Sequence, residues 1–352
     1  MAMQPIAKFI CASVVCSLVG IGGCYSESSD ELTFDESDLL LDEEMSSEVG
    51  KVQESGRQSS GSPLGEDGSK SGSKHSLVKR VTQTLSQLTP DGIETSQAQM
   101  AAWFDVAVET MSDGELSYRV VYRRVTYSEK LPGGSQSYDS NDDTAAVPAA
   151  LANLSELARS GFTFRTTGDR TGLELVIVPS TLFSGDRKGT AAAEFIYDRI
   201  GLVLLGRSSE SLPMAPVMRT RRIVSPIPME FSTRFAVKAS GSGTITLDVF
   251  GSVATSQPTT EVKLVGGTAT VSLKGGYAFG DMTVDEHNCV PRQADWNRYV
   301  DISLVKAGSG DRIEQQKHEV VTIRGIEAND ANDQPTVAPA AAVPSGPTAV
   351  TP

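Results

Sequence analysis

Along residues 77–327 apolar and polar side chains alternate with a period of two, and few architectures accommodate that pattern. Phe104, Val106 and Val108 are interleaved with Asp105, Ala107 and Glu109, and Ile245, Leu247 and Val249 with Thr244, Thr246 and Asp248. Ala269, Val271 and Leu273 alternate with Thr268, Thr270 and Ser272, and Val300, Ile302 and Leu304 with Tyr299, Asp301 and Ser303. Successive side chains of a strand point to opposite faces, so each run offers one face to a core and one to water. This is the mark of antiparallel strands that cover a core on one side. Turn signals separate the runs: Gly133-Gly134, Gly168-Asp169, Gly241-Ser242-Gly243, Gly266-Gly267 and Gly308-Ser309-Gly310.

Two stretches read as helix instead. Residues 148–159 (PAALANLSELAR) open on Pro148, which suits a first helical turn, and stop before Gly161. Residues 190–205 (TAAAEFIYDRIGLVLL) place Ala193, Ile196, Ile200 and Leu204 on one stripe, with Gly201 weakening the second half, where strand is the alternative. The expected fold is therefore mainly β (α+β): a large curved antiparallel sheet or half-barrel with one or two crossing helices. A domain of that length buries a substantial core without disulfide staples.

Ahead of this domain lies an export signal. One lysine, Lys8, precedes the uninterrupted apolar run FICASVVCSLVGI at residues 9–21. It fits the apolar section of a signal peptide and falls short of the roughly 18 to 20 residues needed to span a bilayer as a helix. The run ends in Ile21-Gly22-Gly23-Cys24, which resembles the lipobox of bacterial lipoproteins. Residues 1–23 then form the signal peptide, and the Cys24 thiol accepts diacylglycerol, with palmitate-like acyl chains as the anchor. Each buried methylene contributes about 0.8 kcal/mol, so two or three chains hold a protein almost irreversibly. An ordinary secretory signal ending in an incidental cysteine is the plainer alternative. Tyr25 follows where an aspartate retains some bacterial lipoproteins at the inner membrane, so the outer membrane is the expected address.

Residues 24–76 read as a disordered tether. Between Tyr25 and Ser76 there are 13 acidic and 4 basic side chains, which accounts for most of the chain's net charge of −13. Such a segment buries too little apolar surface to offset its chain entropy. Leu39-Leu40-Leu41 among the acids is either a docking motif or part of the solvated linker. Residues 328–352 form a Pro/Ala-rich tail. The remainder is only mildly acidic and carries no broad basic face, so nucleic acid is excluded as a partner.

The order Val81-Thr82-Gln83-Thr84-Leu85, then Tyr118-Arg119-Val120-Val121-Tyr122-Arg123-Arg124-Val125, then Tyr138-Asp139-Ser140, a short helix and a long meander resembles an uncharacterised family of bacterial lipoproteins. The resemblance covers residues 77–326 and implies a β-rich exported domain of unknown function. That family has no assigned activity, so no catalytic residue is implied. The meander and crossing helix are also similar in outline to lipoprotein-carrier half-barrels that hold acyl chains.

Chemistry-bearing motifs are few. The three histidines, His75, His287 and His318, show no metal-ligand spacing, and no cofactor motif occurs. With Cys11 and Cys16 in the signal and Cys24 lipidated, Cys289 stands alone and no intramolecular disulfide is expected. In Asp285-Glu286-His287-Asn288-Cys289 an extended backbone would put a carboxylate, an imidazole and a thiol on one side; a polar hairpin loop is the alternative. Asp139-Ser140-Asn141-Asp142-Asp143 imitates the start of a calcium loop, but Thr144 and Ala150 stand where Gly and Glu are needed. The basic run Arg219-Thr220-Arg221-Arg222 either holds an anionic headgroup or the protein's own acidic tether, or guards an exposed edge strand.

The sequence thus leads to a membrane-anchored envelope lipoprotein, non-enzymatic, that binds a hydrophobic ligand or a protein partner. A structural surface protein and a hydrolase are the alternatives. Intact-mass analysis of membrane-fraction protein tests the anchor: the mature chain should start at Cys24 with added acyl mass, and Cys24→Ser should lose both the mass and the membrane. Soluble, unacylated native protein would show the lipobox to be incidental.

Overall fold

The computed structural model describes residues 72–326, apart from 90–91, 112–113, 132–133, 143–146, 148–154, 156–157, 169, 171, 178–196, 207–214, 224–228, 256–258, 265–266 and 309. The signal peptide, Cys24, most of the tether and the tail lie outside the described residues. The strands are β1 (Gly72–Thr89), β2 (Gly92–Thr110), β3 (Leu116–Leu131), β4 (Gly134–Asp139), β5 (Phe162–Thr166), β6 (Leu173–Ile177) and β7 (Val217–Ile223). They continue with β8 (Met229–Gly241), β9 (Thr244–Ala254), β10 (Thr260–Leu264), β11 (Gly267–Asp285), β12 (Pro291–Lys306) and β13 (Arg312–Gly325).

All join one antiparallel sheet in the order β6-β5-β3-β2-β1-β13-β12-β11-β9-β8-β7, with β4 added beside β3 and β10 beside β11. The sheet is open, with β6 and β7 at its edges, and the expected fold class stands. The alternating runs are strands, and their apolar members face inward: Phe104, Val106, Val108, Ile245, Leu247, Val249, Val300, Ile302 and Leu304 are all buried. Of the glycine-marked breaks, Gly241-Ser242-Gly243 is fully described. Ser242 and Gly243, both at positive φ, form the two-residue connection between β8 and β9.

The sheet is folded over on itself. Strands β3 and β11 are separated by β2, β1, β13 and β12. Five strand spacings of about 4.8 Å would place them roughly 24 Å apart in a flat sheet. Yet the Tyr118 hydroxyl on β3 donates to the Asn288 carbonyl, just past β11, at 2.7 Å. Bulges supply the bending: the register slips between Trp103 and Phe104, between Val237 and Ala239, and between Leu273 and Gly275. Tyr118 also stacks on Phe164, with centroids 4.7 Å apart.

Residues 197–206 occupy the concave side. Ile200, Leu202, Val203 and Leu204 are buried in the same cluster as Leu247, Met282 and Ile323. The helix expected over 190–205 is corrected here. Within its described part only residues 197–200 are helical. Gly201 ends the turn at φ +69°, its N–H donating to the Tyr197 carbonyl at 2.9 Å, a left-handed glycine cap. The chain then continues without helix or strand, which brings Leu202 to Leu204 into the core. Of residues 148–159, Ser155 and Ala158–Arg159 are helical, followed by Gly161 at φ +63°. The tether boundary also moves: residues 72–76 belong to β1 and pair with β2 from Gly72↔Glu109 to Ser76↔Asp105.

Gly201 is doubly constrained. Its φ is left-handed, and a Cβ there would collide with Cδ1 of Ile323 on β13. Gly201→Ala should therefore destabilise the fold by about 1–3 kcal/mol, read as a lower urea midpoint at unchanged m-value. An unchanged midpoint would contradict this account of the turn.

Candidate functional site

The basic run lies on β7, the edge strand. Alternation sends Arg219 and Arg221 to the concave face. The register carries that face across the sheet: Arg219 pairs with Thr233 and Arg221 with Phe231 on β8. Thr233 then pairs with Gly251 on β9, Gly251 with Ala278 on β11, Ala278 with Arg298 on β12, and Arg298 with Glu319 on β13. One inward row thus has arginines at both ends and the small residues Gly251 and Ala278 between them. The neighbouring row places Gly280 beside Trp296. At Gly280 the backbone of Asp295 and Trp296 comes so close that no Cβ fits.

The small side chain of Ala278 leaves space on this face. Between the sheet and residues 197–203 lies a half-enclosed cavity of about 290 Å³. Phe231, Phe235, Val249, Ala278, Met282 and Trp296 form its apolar wall, and Arg219, Arg221, Arg298 and Asp198 its charged part. The edge position expected of the basic run is found here. The strand is an edge, and Arg219 and Arg221 line a cavity.

Each arginine is held differently. The Arg219 guanidinium lies 3.7 Å from the Tyr197 ring centroid and 5.4 Å from that of Phe235, and donates to the Leu202 carbonyl. Desolvation of its charged end lowers its pKa to about 10, so it stays cationic at neutral pH. Arg298 donates to Glu319 at 3.0 Å and sits 4.9 Å from the Phe231 ring centroid. Arg221 approaches Asp198 at 3.4 Å. Beneath them Lys79 on β1, 3% exposed, donates to the Asp198 carbonyl oxygen. Burial lowers the Lys79 pKa to about 8 against the pull of Asp198. Burial alone would raise the Asp198 carboxyl, but Lys79, Arg221, Arg199 and Arg298 outweigh it and hold the group well below the usual carboxylate range.

The other motifs resolve into structure. Residues 286–288 are the turn between β11 and β12. The Asp285 carboxylate accepts the N–H groups of His287 at 3.0 Å and Asn288 at 3.2 Å, and Arg292 at 2.6 Å. His287 is exposed and Cys289 buried, so carboxylate, imidazole and thiol do not converge. Burial pushes the Cys289 thiol up in pKa, the reverse of an activated nucleophile, and the hairpin-loop reading holds. Asp139 is committed to Arg124 at 2.5 Å and to the Asn141 N–H at 3.0 Å, an ordinary turn rather than a calcium loop. His75, assigned to the tether, instead meets the Asn288 side-chain amide at 3.0 Å. This closes the overhanging start of β1 onto the β11–β12 turn.

Sequence reasoning missed Tyr197, Lys79, Trp296 and Arg298. The cavity residues come from β7, β8, β9, β11, β12 and the 197–203 segment, and no local motif unites them. It also missed an aromatic ladder on the convex face. Tyr277 stacks on Tyr299 at 4.9 Å and Tyr299 on His318 at 4.2 Å, with Phe279 alongside Tyr277 at 6.2 Å.

No family model matches this chain, and no curated protein does. Among solved structures, the outer membrane protein opdK from Pseudomonas aeruginosa is 6% identical, with 71% of this chain and 99% of that one covered at a TM-score of 0.14. The improved crystal structure of Pseudomonas aeruginosa OccK1 (OpdK) is 9% identical, with 71% and 98% covered at 0.12. Overlap at that level bears on neither fold nor activity.

The buried lysine makes stability depend on pH. With its pKa lowered from 10.5 to about 8, Lys79 binds its proton less tightly folded than unfolded. Between those values the unfolded chain holds more protons, so stability rises as pH rises through the window, by up to about 1.4 kcal/mol per pH unit. Urea unfolding from pH 7.5 to 10.5 should show wild type gaining on Lys79→Met. A constant difference would place an ordinary lysine at this position.

Proposed function

We propose that the protein is an exported, lipid-anchored, non-enzymatic binder of a hydrophobic ligand, which occupies the cavity between the sheet and residues 197–203. The observation that carries this reading is the wall of that cavity. Phe231, Phe235, Val249, Met282 and Trp296 line space beside the small side chain of Ala278. Protein interiors are ordinarily close-packed, and a half-enclosed apolar hollow with few charged groups is the usual form of a small-molecule site. The groups that would suit turnover are engaged elsewhere, Asp285 in a turn and Cys289 under the core. The signal and Ile21-Gly22-Gly23-Cys24 support an envelope address, with Cys24 carrying the lipid and Tyr25 favouring the outer membrane.

Full-length Cys24→Ser chain, purified without detergent and titrated with the neutral fluorophore N-phenyl-1-naphthylamine, tests the cavity. Binding should saturate at about one site. Ala278→Phe, which fills the cavity from its floor, should weaken it about tenfold or more while the unfolding midpoint holds. Unsaturable binding, or equal binding by a folded Ala278→Phe chain, would sink the reading.

A further inference from the structure

We infer that the occupant of this cavity is an amphipathic anion: a hydrocarbon chain bearing a carboxylate or phosphate, its headgroup seated between Arg219 and Arg221. The inference rests on the proposed ligand cavity and adds the chemistry of the ligand's polar end.

Charge around the cavity is unbalanced. Among the described residues the cluster comprises Arg219, Arg221, Arg298 and Lys79 against Asp198 and Glu319. A cation withdrawn from water is costly unless an anion meets it. Glu319 already serves Arg298. Asp198 is already engaged twice, its carboxylate 3.4 Å from Arg221 and its carbonyl oxygen accepting from Lys79.

Arg219 has no carboxylate partner among the described residues. Its contacts are the Tyr197 and Phe235 rings and the Leu202 carbonyl. A guanidinium has five N–H donors in a planar fork, and one carbonyl leaves most of them available. Stacking on Tyr197 fixes the plane of the fork, which removes part of the ordering cost a ligand would otherwise bear. Arg221 lies two residues along the same inward face, and its 3.4 Å approach to Asp198 is longer than a normal charge-assisted hydrogen bond. The pair therefore presents one preoriented fork at Arg219 and a second guanidinium at Arg221 beside the apolar wall, a geometry that suits the oxygens of a carboxylate or phosphate.

An inorganic anion would use the arginines and leave the wall of Phe231, Phe235, Val249 and Met282 wet. A neutral hydrocarbon would cover the wall and leave the cations uncompensated. Only a molecule with both parts satisfies the whole lining.

The experiment is displacement of N-phenyl-1-naphthylamine from the full-length Cys24→Ser chain. The competitors are dodecanoate, dodecyl phosphate, dodecanol, dodecyltrimethylammonium and inorganic phosphate, each below its micellar concentration where it has one. Dodecanoate, dodecyl phosphate or both should displace the probe at about tenfold lower concentration than dodecanol, with the cationic amphiphile weakest. Which anion leads distinguishes a carboxylate from a phosphate headgroup. Arg221→Gln should bring the anion within about threefold of dodecanol and leave dodecanol itself unchanged. Should that variant not fold, Arg219→Lys replaces it: the charge stays, the planar fork is lost, and the preference should fall. Equal displacement by dodecanol and dodecanoate overturns the headgroup inference while the apolar cavity stands. Displacement by inorganic phosphate as effective as by dodecyl phosphate overturns it in favour of a bare anion site. Failure of the probe to bind at all removes the cavity reading, and this inference with it.

Discussion

The fold depends on one strand pairing, that of β1 with β13. They run antiparallel in unbroken register from Leu77↔Gly325 to Leu88↔Glu314. This seam joins two wings, one built from β2 to β6 and the other from β7 to β12. Each wing is assembled largely from sequence neighbours, whereas the seam brings together residues more than two hundred positions apart. Such long-range pairing costs loop-closure entropy before it returns any contact. Without it neither wing has a partner, and the sheet cannot fold over to enclose residues 197–206.

The seam is also where the concave face changes character. At one end Leu77, Val81, Val321 and Ile323 continue the apolar core; further along, Gln83 donates to Glu319 at 2.8 Å and Gln315 to Gln87 at 2.9 Å. Buried polar groups of this kind are tolerated when they find partners; cross-strand register supplies one to each of these two amide N–H groups, while the Oε1 atoms of Gln83 and Gln315 are buried without a hydrogen bond. The same register aligns Glu319 with Arg298 and so anchors the charged side of the cavity. Apolar core, polar seam and cavity are therefore consecutive parts of one surface, set by where each strand's inward residues fall.

Much of this was legible in the sequence where burial is one-sided, because alternation then records the inward face directly, as in Ile245, Leu247 and Val249. It failed where tertiary contacts replaced local signals. Residues 72–76 read as linker from their Ser, Gly and Lys content, yet backbone pairing with β2 and the His75–Asn288 contact hold them in the sheet. Helical periodicity carried the second stripe past Gly201, where close approach to Ile323 and a left-handed φ stop it. The basic run stood out by charge, but Arg-Thr-Arg-Arg has no apolar alternation to say which arginines face inward. That follows only from Val217 and Phe235, paired across the β7–β8 register.

The placement of Ala278 ties stability to the proposed ligand. Ala278 lies on a row flanked by Arg298 and Arg219, where a larger apolar side chain would fill the hollow. Filling it would bury apolar surface at about 25 cal/mol per Å² and would leave Arg219 without room for any anion. Arg219 meanwhile braces residues 197–202 against the sheet through Tyr197 and the Leu202 carbonyl. One side chain thus both roofs the cavity and lines it. A ligand that engaged Arg219 would strengthen the contact that holds the roof in place, since an anion on a buried guanidinium offsets its desolvation. Occupancy and stability of the concave face are then linked, because the group left short of counter-charge is the same group that fastens the segment above it.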